Sequence, residues 1–295
     1  MQLNGLELEN QAKRAKQFRS QHRLGNFFVI PNAWDVPSAR LFEEVGFSSV
    51  ATSSAGMLVS LGYMDGESIP WSEFITTVRK ISCVLSVPLS VDMVSGFGSS
   101  EEDVVRSVRE VIEAGAVGLN LEDSIPLSNE LYDPEEQCRK ITSIRHLADE
   151  LGISFVINAR TDAFVHDKGS ESEQRLENVI SRSKKYMEAG ADCIYPMGLT
   201  DKSLISQFVE SVEAPTNLMI RNGLPTIAEL KQMGITRLSF GPGASYAAMG
   251  LLWRIGKEIL EQEKYETLLD GAVSYEFLNS LAVKRDLKEH GKKPA

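Results

Sequence analysis

The sequence predicts an α/β fold, a (β/α)8 TIM barrel with a C-terminal helical extension. Eight short apolar runs, each typical of a buried strand, alternate with amphipathic stretches of helical periodicity. Glycines stand between helices and the following strands, where a helix that ends in the left-handed conformation needs them. Eight alternating units in 295 residues favour a closed barrel, with an open doubly wound sheet as the alternative.

Each predicted strand is short and mostly apolar, as expected for a sheet that is covered on both faces. In chain order the strands are NFFVIPNAW (26–34), SSVATSSA (48–55), PLSVDM (88–93), AVGLNLED (116–123), SFVINART (154–161), CIYPMG (193–198), PTNLMI (215–220) and RLSFGPG (237–243).

The predicted helices open with acidic residues and carry apolar residues at helical spacing. They include VPSARLFEEV (36–45), SEEDVVRSVREVIEA (100–114), DPEEQCRKITSIRHLADE (133–150) and SESEQRLENVISRSKKYMEA (170–189). A residue that favours a turn precedes every strand, namely Gly25, Gly46, Pro88, Gly115, Gly152, Gly190, Pro215 and Gly234.

The pattern predicts one domain over 1–295, with the barrel at 25–262 and a helical tail at 263–295. The tail contains YETLLDGAVSYEFLNSLAVKRDL and ends in a basic KEHGKKPA. Its apolar face needs a partner, either the chain's own barrel or a neighbouring subunit. We therefore expect a homo-oligomer, a dimer or a tetramer.

The composition indicates a soluble globular protein, with 42% hydrophobic and 24% charged residues. A net charge of −10 argues against nucleic-acid and anionic-membrane partners, because both require a basic surface. The widely spaced Cys83, Cys138 and Cys193 indicate neither a disulfide framework nor a zinc site. No apolar run approaches membrane-spanning length and the start is polar, so we expect a cytoplasmic protein that binds small molecules.

Polar residues follow the predicted strands, at the end of the barrel where active sites of this fold lie. Three successive strands end at Asp92, at Glu122 and at Arg160. Carboxylates suit Mg²⁺ or Mn²⁺, and an arginine suits an anionic substrate group. The turn 53–56, Ser-Ser-Ala-Gly, offers backbone N–H groups to an anion. Together they predict a pocket for a small, doubly anionic substrate.

Other interpretations stay open for single residues. Asp123 and Asp162 suit helix N-caps or solvated loop charges, and GPG at 241–243 suits a turn that opens the last helix. The absence of lysine from the predicted strands argues against Schiff-base chemistry, and no GxSxG motif is present. The four histidines do not cluster at strand ends and indicate local packing or surface positions: His22, His146, His166 and His290.

A set of motifs between residues 27 and about 260 resembles the isocitrate lyase/phosphoenolpyruvate mutase superfamily. The motifs are PNAWDVPSARLFEEVGF, ATSSAG, LGYMDG, GLNLEDS, INARTDAF and GITRLSFGP. The resemblance implies a (β/α)8 barrel that uses Mg²⁺ and breaks or makes a C–C or P–C bond beside a 2-oxo acid through a pyruvate-type enolate. It also implies last helices that are exchanged between subunits.

The resemblance assigns roles by position. The implied metal ligand is Asp92, and the acids that hold the metal's waters are Asp65 and Glu122. The substrate carboxylate would lie on Ser53, Ser54 and Ala55. The catalytic assignments are Arg160, which steadies the anionic group and the developing charge; Tyr63, a proton donor or polar wall; and Asn129, in a mobile gating loop.

Three departures narrow the function. No KKCGH-type loop is present, which argues against isocitrate or methylisocitrate cleavage. Leu127 stands where the phosphonate branch carries a lysine, which favours a dicarboxylate over phosphonopyruvate. Val94 replaces the second acid of the pattern D-x-[DE]-x-G-[FYW]-G and cannot accept a hydrogen bond from a metal-bound water.

The sequence therefore predicts a Mg²⁺-dependent lyase that cleaves a C–C bond adjacent to a 2-oxo acid, with decarboxylation or hydrolysis of an oxaloacetate-like substrate favoured. One alternative is a phosphonopyruvate mutase or hydrolase. The other is a non-catalytic 2-oxo acid binding protein, because Val94 weakens the acid cluster.

Overall fold

Short parallel strands form the inner layer of the described part of the chain, which comprises residues 5–98, 100–167 and 169–281 of the computed structural model. They are β1 (Phe28–Ile30), β2 (Asn32–Ala33), β3 (Val50–Thr52), β4 (Leu89–Asp92), β5 (Gly118–Glu122), β6 (Val156–Thr161), β7 (Cys193–Pro196), β8 (Asn217–Met219) and β9 (Arg237–Ser239). Each lies within a predicted apolar run.

The strand pairing runs around a complete ring. The strands β2-β3-β4-β5-β6-β7 pair in that order, and β1-β9-β8 pair as a second group. Pro31 separates β1 from β2 within one extended segment, since proline lacks the N–H that continuous pairing needs. A parallel bridge between Ile194 and Thr216 joins β7 to the segment before β8. Because β1 and β2 belong to one segment, the nine described strands occupy eight positions around the barrel. The predicted barrel is confirmed.

Helices surround the strands. They are α1 (Gly5–Gln21), α2 (Val36–Val45), α3 (Ser54–Ser60), α4 (Trp71–Val84), α5 (Glu101–Glu113), α6 (Pro134–Glu150), α7 (Ala163–His166), α8 (Ser172–Glu188), α9 (Lys202–Val212), α10 (Ile227–Gln232), α11 (Gly243–Gln262), α12 (Glu266–Leu269) and α13 (Tyr275–Leu281).

The helix α5 shows why the alternating pattern folds in this way. Ser100 caps its first turn by accepting from the N–H of Asp103 at 3.2 Å. Val104, Val108 and Val111 recur at helical spacing and are fully buried. Burial of each such side chain contributes roughly 1.5–3 kcal/mol. The apolar stripe therefore fixes the helix on the barrel.

The helix α1 was not predicted, because its sequence is charged and its apolar periodicity is weak. Tertiary contacts hold it instead. Phe18 is fully buried, and Gln11 Nε2 donates to the carbonyl oxygens of Ile112 and Ala116 at 2.7 and 2.9 Å. The latter two residues lie at the end of α5 and before β5, so α1 packs at the amino-terminal side of the strands.

Two helix-ending glycines provide a matched test of stability. Gly46 and Gly115 have φ of 106° and 100°, in the left-handed region. Gly46→Ala is expected to lower the free energy of unfolding by about 1 kcal/mol through backbone strain alone, since its Cβ would meet nothing within 4 Å. Gly115→Ala is expected to lower it by about 3 kcal/mol, because its Cβ would lie 2.4 Å from Ser82 Oγ.

Urea denaturation measures both losses. A Ser82→Ala background should bring the loss in Gly115→Ala down to that in Gly46→Ala. Equal losses in the two single variants would contradict the steric argument.

After α11 the chain continues into α12 and α13, which confirms helical structure in the part of the predicted tail that is described; residues 282–295 lie outside it. Arg40 Nε donates to the carbonyl oxygen of Leu281 at 3.3 Å, so α13 packs on α2. Large apolar side chains on α11 to α13 face solvent, including Trp253, Leu260 and Tyr275 at 69%, 85% and 77% exposure. None of the helices in the described residues has the length and apolar character to cross a membrane.

Candidate active site

A cavity of about 150 Å³ opens at the carboxyl ends of the strands. Its walls come from all eight strand positions of the barrel or from the turns that follow them. The lining residues are Asn32, Ser53, Ser54, Ala55, Asp65, Asp92, Asn120, Arg160, Tyr195, Met197, Met219, Ser239, Gly241, Pro242 and Tyr246. Six of the predicted site residues are therefore brought together: Ser53, Ser54, Ala55, Asp65, Asp92 and Arg160.

The register of the parallel strands explains this convergence. Asp92 pairs with Asn120 across β4 and β5, and Glu122 pairs with Arg160 across β5 and β6. Glu122 comes two residues after Asn120 along β5. Asp92 therefore lies deeper in the barrel than Glu122 and Arg160. The site thus has a lower carboxylate and an upper ion pair.

Asp92 is anchored against the turn after β3. Its Oδ2 accepts from the backbone N–H of Ser54 at 3.0 Å, and its own N–H donates to Thr52 Oγ1 at 2.9 Å. Ser53 caps α3 by accepting from the N–H of Gly56 at 3.2 Å. A Cβ on Gly56 would lie 3.0 Å from Trp34 Cβ, which is tighter than most Cβ contacts, so glycine lets the turn pass close to this side chain. The small residues of ATSSAG therefore serve the geometry of the site.

Arg160 forms a buried charge network at the upper level. Its Nη1 lies 2.8 Å from Glu122 Oε2, and its Nε and Nη2 each donate to the Asp162 carboxylate at 2.7 Å. This bidentate pairing fixes the plane of the guanidinium. Arg160 also lies over the Tyr195 ring, 5.7 Å from its centroid. The arginine is thus held at the cavity wall before any ligand binds.

Burial and neighbouring negative charges raise the pKa values of two acids of the site, Glu122 and Asp65. Burial raises the pKa of Glu122 to about 8, against the opposing charge of Arg160 and with the carboxylates of Asp162, Asp92 and Asp65 adding to it. Burial and the charge of Asp92 also raise the pKa of Asp65, while a hydrogen bond from Ser54 lowers it. Acids crowded in this way favour the binding of a cation.

The donor set fits a hard divalent cation. The acids at this rim supply oxygen ligands only, the type that Mg²⁺ and Mn²⁺ prefer. Asp92 and Asp65 line the cavity, and Glu122 adjoins it through Arg160. Within the described residues, no three His, Cys, Asp or Glu side chains are arranged to hold a metal ion directly. An ion on Asp92 would therefore complete its coordination with water, which Mg²⁺ commonly retains.

Two predicted catalytic residues do not line the cavity. The Tyr63 hydroxyl donates to Glu73 Oε2 at 2.7 Å, at the start of α4. The carbonyl oxygen of Asn129 lies 2.8 Å from His166 Nδ1, in the loop after β5. Leu127, in the same loop, is 76% exposed. A role for Tyr63 or Asn129 at the substrate requires movement of its loop.

His166 lies nearer the site than the sequence suggested. It ends α7, directly after β6, and its Nε2 lies 3.3 Å from Ser124 Oγ while Nδ1 contacts Asn129. It therefore links the predicted gating loop to the barrel rim. His22, directly after α1, is buried and its Nε2 lies 3.4 Å from Arg237 Nη1, and His290 lies outside the described residues.

The interpretation of Asp123 as a cap or a solvated loop charge is wrong, and Asp162 stands at the N-cap position of α7 without capping it through its side chain. Asp123 is fully buried and accepts from Tyr186 Oη at 2.8 Å and from Arg182 Nη1 at 3.1 Å. Asp162 precedes α7 without a side-chain cap and instead holds Arg160. Both acids are structural counterions, which a strand-end pattern cannot distinguish from caps.

Val94 carries backbone strain at the position of the missing acid. It is buried and has φ of 50°, in the left-handed region that β-branched residues rarely adopt. Such a conformation costs on the order of 1–3 kcal/mol. Its carbonyl oxygen accepts from the N–H of Glu122 at 2.8 Å, so the turn after β4 is tied to the end of β5.

Several cavity residues were missed because they lie inside strands or turns that were interpreted only structurally. Asn32 Oδ1 accepts from the N–H groups of Phe240 and Gly241, both at 2.9 Å, and so fixes the GPG turn at the cavity. Asn120 and Ser239 are polar residues at inward-facing strand positions, which was the available signal. Met197 and Met219 gave no signal, because methionine is ordinary core material.

The fold and site define a (β/α)8-barrel protein with an acid-rich, arginine-containing cavity at its carboxyl-end rim. The family model for phosphoenolpyruvate phosphomutase matches residues 18–260, and the chain belongs to this family. The superfamily resemblance predicted from the motifs is confirmed.

Similar proteins and solved structures agree with this family assignment. The chain is 29% identical to 2-methylisocitrate lyase of Escherichia coli over 84% of each chain, and 29% identical to oxaloacetate decarboxylase 1 of Pseudomonas fluorescens over 79% of this chain and 80% of that one. The crystal structure of a putative phosphonomutase from Burkholderia cenocepacia is similar with a TM-score of 0.80 and 35% identity, covering 84% of this chain and 99% of that one. The prediction of an enzyme of the lyase and mutase type is confirmed at that level.

Proposed function

We propose that the protein is a Mg²⁺-dependent lyase that cleaves a C–C bond adjacent to a 2-oxo acid, by decarboxylation or hydrolysis of an oxaloacetate-like substrate. The observation that carries this proposal is the joint placement of Asp92, Asp65 and Arg160 around one small cavity, with Glu122 on the arginine. Mn²⁺ would serve in place of Mg²⁺.

The bound cation supplies a Lewis acid that stabilises negative charge on the substrate oxygens. Asp92 would hold it, and Asp65 and Glu122 would accept hydrogen bonds from its waters. The turn of Ser53, Ser54 and Ala55 would orient the substrate carboxylate, since all three residues line the cavity. Arg160, fixed by Asp162, would stabilise the charge that develops as the bond breaks.

In decarboxylation, CO₂ leaves and the electron pair of the broken C–C bond forms a pyruvate-type enolate, which then requires a proton. In hydrolysis, one water would instead supply a hydroxyl group to the 2-oxo carbon and a proton to the leaving carbon. Tyr63 would donate the proton to the enolate after its loop moves, or solvent would do so, because in this conformation the Tyr63 hydroxyl donates to Glu73. Asn129 would act in a gating loop that closes over the substrate and excludes water.

Phosphonopyruvate mutase or hydrolase chemistry is the second candidate, supported by the phosphomutase family model and by the similarity to the putative phosphonomutase. The exposed Leu127 supplies no cation to a phosphonate, which favours the dicarboxylate. Parallel assays with oxaloacetate, its 3-alkyl derivatives, 2-alkylmalates and phosphonopyruvate, each with Mg²⁺ and with chelator, separate these chemistries. Turnover of phosphonopyruvate alone would refute the C–C lyase.

The third candidate, a non-catalytic 2-oxo acid binder, follows from Val94. If the protein is instead an enzyme with a metal site weakened by Val94, Val94→Glu is expected to raise its Mg²⁺ affinity about 10-fold and to raise turnover. The reason is that a hydrogen-bond acceptor returns beside the ion. Calorimetric titration with Mg²⁺ and a pyruvate assay check this. Val94→Leu, which adds bulk without an acceptor, is the control. Oxalate binding with no turnover in either form would establish the binder instead.

We further propose one domain over 1–295, with the barrel at 25–262 and the tail at 263–295, in a cytoplasmic homo-oligomer, a dimer or a tetramer. The exposed apolar side chains on α11 to α13 support the oligomer, because a partner subunit would remove them from water. Light scattering of the full chain determines the subunit count.

A further inference from the structure

One carboxylate connects the two loops that carry the acids of the cavity. Glu67 lies two residues after Asp65, in the loop between α3 and α4. Its Oε1 accepts three hydrogen bonds from the turn that follows Asp92: from the N–H of Ser95 at 3.0 Å, from Ser95 Oγ at 2.8 Å and from the N–H of Phe97 at 2.9 Å. These are charge-assisted hydrogen bonds, the stronger class in proteins.

The turn that Glu67 holds is conformationally demanding. Val94 and Phe97 have φ of 50° and 52°, and Gly96 has φ of 118°. Left-handed residues that alternate with right-handed ones in a turn can direct neighbouring N–H groups towards one point and form a concave anion site. Here the N–H groups of Ser95 and Phe97 both donate to Glu67 Oε1. The Glu67 carboxylate occupies that site, so it compensates for the strained path of the backbone.

Glu67 itself adopts a left-handed conformation, with φ of 65°. From this conformation its side chain reaches the turn after Asp92. The neighbouring Gly66 packs against the loop after β5, since a Cβ there would lie 3.2 Å from Leu127 Cδ2. The segment 61–69 is thus attached to the turn by Glu67 and contacted by Leu127.

We propose that Glu67 is a positioning residue that sets the place of Asp65 relative to Asp92. Asp65 has no strand or long helix to fix it, whereas Asp92 ends β4. Through Glu67, the loop of the first acid is bound to the turn of the second, and the two carboxylates face one cavity. This inference rests on the proposed function for its catalytic consequence, although the attachment itself does not depend on a ligand.

The test compares Glu67→Ala and Glu67→Gln with the wild-type chain, with Glu113→Gln at the exposed end of α5 as a control of equal charge change. Amide hydrogen exchange without metal reports on segments 61–69 and 93–98. Calorimetry with Mg²⁺ alone gives the affinity, and oxaloacetate assays give kcat and KM.

Glu67→Ala is expected to accelerate exchange roughly tenfold in both segments, because three hydrogen bonds to a charged group are lost. It is expected to weaken Mg²⁺ binding by about 10–100-fold. Glu67→Gln should lie between Glu67→Ala and the wild type, since its amide oxygen still accepts. Glu113→Gln should match the wild type in all readouts.

Two results for Glu67→Ala would overturn the proposal: faster exchange confined to residues 93–98, or an unchanged Mg²⁺ affinity. Either would show that Glu67 only stabilises the turn after Asp92. Failure of the proposed function has a different signature. In that case the wild-type chain binds no Mg²⁺ and turns over no 2-oxo acid, while coupled exchange of the two segments still supports the attachment.

Discussion

Replacing Asp92 by asparagine is expected to lower kcat/KM for oxaloacetate by about 10³-fold, because the variant loses the charge that would hold the cation at the developing negative charge. Asparagine is nearly isosteric, and its amide oxygen can still accept the 3.0 Å hydrogen bond from the Ser54 N–H. The variant should therefore fold with a melting temperature close to that of the wild type. Steady-state assays over a range of Mg²⁺ concentrations measure the loss.

Calorimetry should show Mg²⁺ affinity reduced at least about 10-fold in Asp92→Asn. Asp149→Asn, an exposed position at the end of α6, is the matched control and should behave as wild type. If Asp92→Asn retained full Mg²⁺-dependent activity, this would contradict the role of Asp92 as the direct metal ligand.

Substitutions of Arg160 are expected to separate its catalytic and structural contributions. Arg160→Lys should lower kcat/KM by about 10²–10³-fold, since an ammonium ion cannot replace the fork that binds the Asp162 carboxylate and reaches Glu122. Arg160→Met should in addition lower the free energy of unfolding by about 3 kcal/mol at neutral pH, because it leaves the buried Asp162 carboxylate without its cation.

The stability loss in Arg160→Met should depend on pH. Arg160 lowers the pKa of Asp162 against the effect of burial, whereas the pKa of Glu122 is raised to about 8 even with the arginine present. In the variant both acids lose their cation, so their folded-state pKa values rise and they take up protons as the pH falls. The difference in unfolding free energy from the wild type should therefore narrow as the pH falls from about 9 to about 4, first through Glu122 above about pH 8 and then through Asp162 in the acid range. A constant difference in urea denaturation across that range would contradict the ion-pair account.

The strands and their turns were predictable because their signals are local. Apolar runs marked all eight strand positions, and the glycines that end helices at Gly46 and Gly115 do have positive φ. Fold-level reasoning then placed Asp92 and Arg160 at one rim, since parallel strands end on the same side.

The sequence-based interpretations that were wrong or incomplete concern residues whose positions depend on contacts between distant segments. The burial of Asp123 requires Arg182 and Tyr186 from α8, and the position of His166 requires the loop after β5. Neither contact leaves a periodic signal. Similarly, the sequence shows that Val94 replaces an acid, but only the structure shows its left-handed backbone and the carboxylate of Glu67 that supports the same turn.

A crystal structure of the protein with Mg²⁺ and oxalate tests the central claim most directly. The account predicts a cation on Asp92, with Asp65 and Glu122 directed at its waters, and oxalate between the turn 53–55 and Arg160. Oxalate and Mg²⁺ bound elsewhere, or a rim at Asp92 that stays empty at saturating concentrations of both, would contradict it.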